Sequence, residues 1–324
     1  MSSTGALAGG SIRSIRAIRV ICGPTAAGKS RIALGLALEY GATIISADSR
    51  QIYRGFDIGT AKPGTPALRT VPHRGIDVAE PTDRYSASAW ATQAREWIRE
   101  AVDARRVPLI VGGTGFYMRA LFEPLFDAPR LDAAARQSLE RVMNQLPLGE
   151  LRRWCETLDK SKAHLGRVQL SRAIETALLT GHRLSDLQRA SARAHAGMPQ
   201  QFHPHYLVVD PGARLAKRIE ERVDEMLDAG WLDEVRSLEA NVPGDAPAWK
   251  ASGYRVVRDL AAGRVSLSSA RERIIIETRQ YAKRQRTWFR HQLGAASVTR
   301  IDPDQPGCEA AVERWWKEAE VELT

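Results

Sequence analysis

The chain has 324 residues, 44% of them hydrophobic, with 47 Lys and Arg against 38 Asp and Glu for a net charge of +9. That length suits one large domain or two ordinary ones, and no run of eighteen apolar residues marks a membrane-spanning helix. The basic balance favours an anionic partner, while three scattered cysteines, Cys22, Cys155 and Cys308, argue against a disulfide framework or zinc site and fit a reducing, cytoplasmic setting.

Residues 1–16 are rich in Ser, Gly and Ala and carry Arg13 and Arg16 but no acid. They read as a short disordered tail, with a weak likeness to a targeting peptide. A strand is expected at Arg19–Cys22, then a glycine-rich turn, a helix over Ser30–Glu39 and a second strand over Ala42–Ala47 that ends at Asp48. An amphipathic helix follows over Ala87–Ala104, and a buried strand over Val107–Val111 runs into Gly112-Gly113. Strands alternating with helices predict an α/β fold, a P-loop NTPase-like core built on a parallel sheet. In such sheets ligands collect at the carboxyl ends of the strands, where the sharpest motifs here lie.

After Pro129 the texture changes. Residues 130–205 are dense in Arg, Ala, Leu and Glu and are expected to form a helical insertion domain. Tyr206–Val209 looks like a strand returning to the sheet, followed by helical patterns at Leu215–Leu227, Leu232–Leu238 and Leu267–His291. The expected division is a discontinuous core of residues 17–129 and 206–300, the insertion between them, and a C-terminal helix over 301–324.

Gly23-Pro24-Thr25-Ala26-Ala27-Gly28-Lys29-Ser30 matches the phosphate-loop pattern and sits between a strand and a helix, as that motif requires. Its glycines let backbone N–H groups turn around phosphate oxygens, and the helix N-terminus adds partial positive charge. Lys29 supplies a full charge, and the Ser30 hydroxyl is placed to hold Mg²⁺. The loop specifies a diphosphate or triphosphate without specifying ATP. A typical NTPase also ends a neighbouring strand in Asp, whereas this one ends in Gly112-Gly113-Thr114-Gly115.

Asp48 follows the second strand and should face the same crevice, either as a metal or proton-accepting carboxylate or as a helix N-cap. Arg50 and Gln51 can read a base edge or a phosphate, and Lys62 is a further candidate phosphate contact. Between Arg271 and Arg290, the residues Arg279, Lys283, Arg286 and Arg290 recur every three or four positions and so share a helix face. That face either tracks a phosphate backbone or is simply solvated, and Trp288 and Phe289 read as core.

Together, GPTAAGKS, ADSRQIYRGFDIGTAKP, GGTGFYMRAL and the segment Thr278–Arg290 resemble, in order and spacing, the signature blocks of tRNA dimethylallyltransferases. The resemblance spans residues 18–292. It implies transfer of a dimethylallyl group from dimethylallyl diphosphate to the exocyclic amine of adenosine 37, in the anticodon stem-loop of tRNA, with Mg²⁺ as cofactor. It implies catalytic Asp48, Lys29 and Thr25, the carboxylate acting as general base; the chain is expected to be a monomer. The loop from Gly23 to Ser30 would grip the diphosphate, joined by Arg222 in preference to Arg218. Asp48, Ser49, Arg50 and Gln51 would contact the extruded nucleotide. Thr114, Arg136, Val168, Gln169, Leu170, Ser171, Arg172, Arg279 and Lys283 would contact tRNA, although Gln169 stands where the family often has Arg. Two rivals are a small-molecule kinase with the same loop and an RNA-binding protein whose loop is idle.

Overall fold

A computed structural model describes residues 17–123, 129, 131–194, 202–293 and 298–321. The tail expected at 1–16 lies outside them. The chain divides into two compact units, residues 1–123 with 200–324 and residues 124–199.

The first unit is built on six parallel strands: β1 Ala17–Cys22, β2 Ala42–Ala47, β3 His73–Arg74, β4 Val107–Gly112, β5 His203–Val209 and β6 Val298–Ile301. Their order across the sheet is β3-β2-β4-β1-β5-β6. Every residue of β1 and β2 is buried, the continuous burial of central strands covered on both faces. The chain builds outward from β1 to one side through β2, β3 and β4, then to the other through β5 and β6. The order therefore reverses at β1, whose carboxyl end is the expected place for a ligand.

Among the described residues this unit has nine α-helices: α1 Lys29–Tyr40, α2 Thr65–Thr70, α3 Ala87–Asp103, α4 Gly115–Phe122 and, after the second unit's four helices, α9 Leu215–Asp228, α10 Trp231–Glu239, α11 Tyr254–Ala261, α12 Leu267–His291 and α13 Cys308–Val321. Helix α1 starts where the phosphate loop ends and packs Ala33, Leu36 and Ala37 into the core. Helix α13 adds the buried Trp315 and Trp316. Arg19, buried within β1, is satisfied by the Trp316 carbonyl at 2.9 Å and lies over its ring at 4.4 Å.

The short edge strand β3 was not among the expected elements, and two further features differ from the sequence expectation. The returning strand begins at His203, because the polar run His203-Pro204-His205 masks its start. A sixth strand, Val298–Ile301, pairs with β5 just before the C-terminal helix, which starts only at Cys308. None of the described helices is long and apolar enough to cross a membrane.

The second unit holds α5 Ala133–Gln145, α6 Leu148–Leu158, α7 Arg167–Thr180 and α8 Leu184–Ala194. They enclose their own core of Met143, Leu151, Cys155, Leu170, Ala173, Ile174 and Leu184.

Candidate active site

The phosphate loop leaves β1 after Cys22. Gly23 has φ 144°, and a Cβ there would lie 2.2 Å from the Val209 carbonyl oxygen, so only glycine fits. Ala26 and Gly28 also take positive φ, 60° and 91°. This alternation turns successive amides toward one concave side, which is how a loop becomes an anion nest. Pro24 has no N–H to offer, and its carbonyl accepts a hydrogen bond from Lys29 Nζ at 2.6 Å. Burial pushes the Lys29 ammonium down to about 8, the Arg222 guanidinium pushes in the same direction, and Asp48 opposes both.

Asp48 stands at the end of β2, two strands from β1 with β4 between them. No helix follows, so it is not an N-cap. Its Oδ1 accepts the Arg50 N–H at 2.8 Å and closes a local turn. The Ser49 N–H donates to Thr114 Oγ1 at 3.0 Å, tying this turn to the loop after β4. Gln51 is engaged at both ends of its amide: Oε1 accepts from the Ser46 hydroxyl at 2.9 Å and Nε2 donates to the Ala61 carbonyl at 3.0 Å. Gln51 therefore shapes the turn rather than presenting a free amide. Lys62, expected at a phosphate, is instead consumed by the Tyr53 carbonyl, Asp57 and Asp77, with its side chain 5% exposed.

Two cavities meet at these residues. The smaller, of about 350 Å³, is lined by Lys29 and Ser30 together with apolar Leu34, Ile44, Ile76 and Val111. The larger, of about 670 Å³, is lined by Arg50, Trp231, Trp249, Arg255 and Arg284 among others. Thr25, Asp48, Thr60, Arg222 and Tyr281 line both. Asp48 thus sits where the chamber of Lys29 and Ser30, with its apolar wall, joins a wider, basic and aromatic chamber. Arg222 is held below its ordinary value by burial, against the pull of Asp48 and Glu225. Arg218, by contrast, is ion-paired to Asp304 and donates to the Ala27 carbonyl at 3.3 Å, so of these two arginines only Arg222 lacks an ion pair among the described residues.

Helix α12 closes the site with residues that sequence reasoning did not single out. The buried Gln285 accepts the Thr25 N–H at 2.8 Å and donates to the Gly113 carbonyl at 2.9 Å. Tyr281 lines both cavities, and burial first, then Asp48, pushes its hydroxyl up to about 12. The available signal was a polar residue on the buried stripe Ala282, Gln285 and Phe289. The glycines after β4 answer to this helix. A Cβ at Gly113 would meet Gln285 Nε2 at 2.2 Å, and one at Gly115 would meet the Trp288 ring at 2.2 Å. A Cβ at Gly112 would lie 2.2 Å from the Ala47 carbonyl oxygen. An Asp at 112, as a hydrolytic NTPase needs, has no room against the Ala47 backbone, and one at 113 would displace the Gln285 carboxamide.

The basic face of α12 divides on inspection. Arg279 is ion-paired to Glu220, and Arg286 to Asp210. Lys283 and Arg290 are exposed and lack an ion-pair partner among the described residues. In the second unit Arg136 pairs with the buried Glu175 at 3.1 Å. Val168, Gln169 and Arg172 are exposed and Ser171 is half-buried. Leu170 is fully buried in that unit's core and offers no side chain to RNA, which corrects the expectation for this position.

The smaller chamber also bears on metal binding. Ser30, in the first turn of α1, and Asp48 line it together, and no cluster of three or more His, Cys, Asp or Glu occurs among the described residues. A hydroxyl with one nearby carboxylate suits a hard cation that keeps most of its ligands from phosphate and water, as Mg²⁺ does.

A parallel α/β core with a phosphate loop opposed by a carboxylate across joined chambers defines an enzyme that handles a phosphorylated substrate. Comparison with known proteins narrows the class. The IPP transferase model matches residues 51–292 and the isopentenyl transferase model residues 16–74. The chain is 38% identical over 298 residues to a tRNA dimethylallyltransferase of Thiobacillus denitrificans, covering 90% of this chain and 94% of that one. It is 37% identical over 306 residues to a tRNA dimethylallyltransferase of Deinococcus radiodurans, covering 92% and 97%. Among solved structures it resembles the tRNA isopentenylpyrophosphate transferase of Bacillus halodurans, with TM-score 0.66, 30% identity and coverage of 95% and 98%. It shares its fold with a eukaryotic dimethylallyltransferase, TM-score 0.73 at 23% identity, covering 92% of this chain and 77% of that one. The chain belongs to the IPP transferase family.

Proposed function

We propose that this chain is a tRNA dimethylallyltransferase that moves the dimethylallyl group of dimethylallyl diphosphate onto the exocyclic amine of adenosine 37. The observation that carries this reading is the shared wall of the two chambers, where Thr25, Asp48 and Arg222 face both.

The donor's diphosphate sits in the loop from Gly23 to Ser30, and its short apolar tail meets Leu34, Ile44, Ile76 and Val111. Lys29 and Arg222 balance the charge that grows on the leaving oxygens. The Ser30 hydroxyl would hold Mg²⁺ in this chamber, and the ion would supply further charge stabilisation at the leaving diphosphate. The adenosine, extruded from its stack, enters the wider chamber. Its amine nitrogen attacks the allylic carbon as the carbon–oxygen bond breaks. The amine proton passes to the Asp48 carboxylate, and diphosphate leaves with the bonding electron pair. Tyr281 and Gln285 help close the junction against water, which would otherwise capture the allylic cation. In the first unit exposed Lys283 and Arg290 are offered to the RNA, with the Thr114 hydroxyl bracing Ser49 beside the base; in the second unit, taken by itself, exposed Val168, Gln169 and Arg172 are offered to it.

The test is incubation of the chain with unmodified tRNA and labelled dimethylallyl diphosphate, with ATP in a parallel reaction. Label should appear in tRNA only with the prenyl donor. Phosphate release from ATP without label in tRNA would replace this reading with a kinase.

A further inference from the structure

Among the described residues Phe116 is the one aromatic side chain that is exposed, at 52%. Every other described Phe, Tyr or Trp is buried or half-buried. A lone exposed apolar residue is ordinary on a protein surface. The position of this one is not. Phe116 lies in the first turn of α4, whose other residues Gly115, Tyr117, Met118, Ala120, Leu121 and Phe122 are all buried, apart from Arg119. Two residues before it, Thr114 Oγ1 accepts the N–H of Ser49, the neighbour of Asp48. One residue before it, Gly115 lies flat against the Trp288 ring on α12, the helix that carries the unpaired, exposed Lys283. The backbone just before Phe116 is therefore tied both to the turn that carries Asp48 and to α12, while its own ring is exposed.

We infer that Phe116 is a stacking platform for an unpaired base of the RNA loop that flanks the extruded adenosine. This rests on the activity proposed above. Single-stranded RNA loops are recognised by stacking their unstacked bases on aromatic faces, usually within a basic surround. Removing one base from its stack leaves its neighbours with an exposed face, and an exposed aromatic ring on the segment tied to the Asp48 turn supplies a replacement. An occupant of this kind accounts for an outward Phe where a polar residue would otherwise serve.

The test uses an anticodon stem-loop RNA with 2-aminopurine next to the target adenosine and the full chain as wild type, F116A, F116L and F116W. Wild-type and F116W proteins should quench the 2-aminopurine on binding. F116A and F116L should lose that quenching and raise the KM for RNA roughly 5- to 150-fold. The KM for dimethylallyl diphosphate and the rate at saturating RNA should stay unchanged in all four. F116L keeps apolar bulk without a π face, so it separates stacking from packing. Wild-type RNA affinity and quenching in F116A and F116L overturn the proposal, as does a loss confined to the donor's KM. Failure of the wild-type chain to transfer any prenyl group would sink the activity itself, whereas transfer with equal RNA affinity in all variants sinks only the stacking role.

Discussion

The carboxamide of Gln285 accepts the N–H of Thr25 at 2.8 Å, joining a helix near the C-terminus to a loop 260 residues earlier. Its amide nitrogen holds the Gly113 carbonyl at the same time. One buried side chain thus fixes both loops that frame the junction of the chambers. Gln285→Met should leave both backbone groups unsatisfied and cost about 1–3 kcal/mol for each left buried. We expect a lower melting temperature and a raised KM for dimethylallyl diphosphate. An unchanged KM in a folded variant would show that the loop holds its shape alone.

Lys29 gives a pH dependence with a definite direction. In the free protein burial and Arg222 bring its ammonium down to about 8. A bound diphosphate favours the charged form and raises that value, so binding takes up a proton once the pH exceeds about 8. The donor's Kd should therefore rise with pH above about 8. Calorimetry in two buffers of different ionisation enthalpy should reveal the proton uptake. A flat Kd between pH 7 and pH 9.5, roughly, would mean that Lys29 is not the group that meets the diphosphate.

Gly23→Ala places a methyl group 2.2 Å from the Val209 carbonyl at φ 144°. The strain of such a backbone for a non-glycine residue is on the order of 1–3 kcal/mol before the clash is counted. The variant should lose donor binding while the far-UV circular dichroism persists. Normal donor affinity would show that the loop accommodates a side chain here.

Neighbouring positions on α7 should behave oppositely. Leu170→Ala opens a cavity in the second unit's core and should cost about 2–5 kcal/mol. Val168→Ala, at 79% exposure, should fall within about 0.5 kcal/mol of wild type and alter tRNA affinity instead. Thermal unfolding and RNA binding on the two variants separate these roles, and equal destabilisation would contradict the assignment.

Much of this site was legible because its parts are local. The phosphate loop is eight consecutive residues whose geometry follows from Gly23, Gly28 and the flanking elements. Asp48 ends an apolar strand, so its crevice follows from the fold. Leu170 recurs with Ala173 and Ile174 at helical spacing, so its burial was readable from periodicity even though it sits in a motif tied to RNA. Gln285 and Tyr281 were hidden because their partners lie far away in sequence, and helix periodicity only marks a face as buried. Lys62 misled because a lysine in a polar loop is the same whether it meets a phosphate or, as here, Asp57 and Asp77. Strand β6 escaped because four residues give too short a pattern to detect.

The central claim is that Asp48 takes the amine proton at the junction of the two chambers. Single-turnover transfer by Asp48→Asn measures it most directly, since Asn keeps an oxygen to accept the Arg50 N–H and loses only the base. The rate should fall about 10²- to 10⁴-fold while tRNA and donor binding stay near wild type. A rate close to wild type, with both substrates bound, would contradict the account.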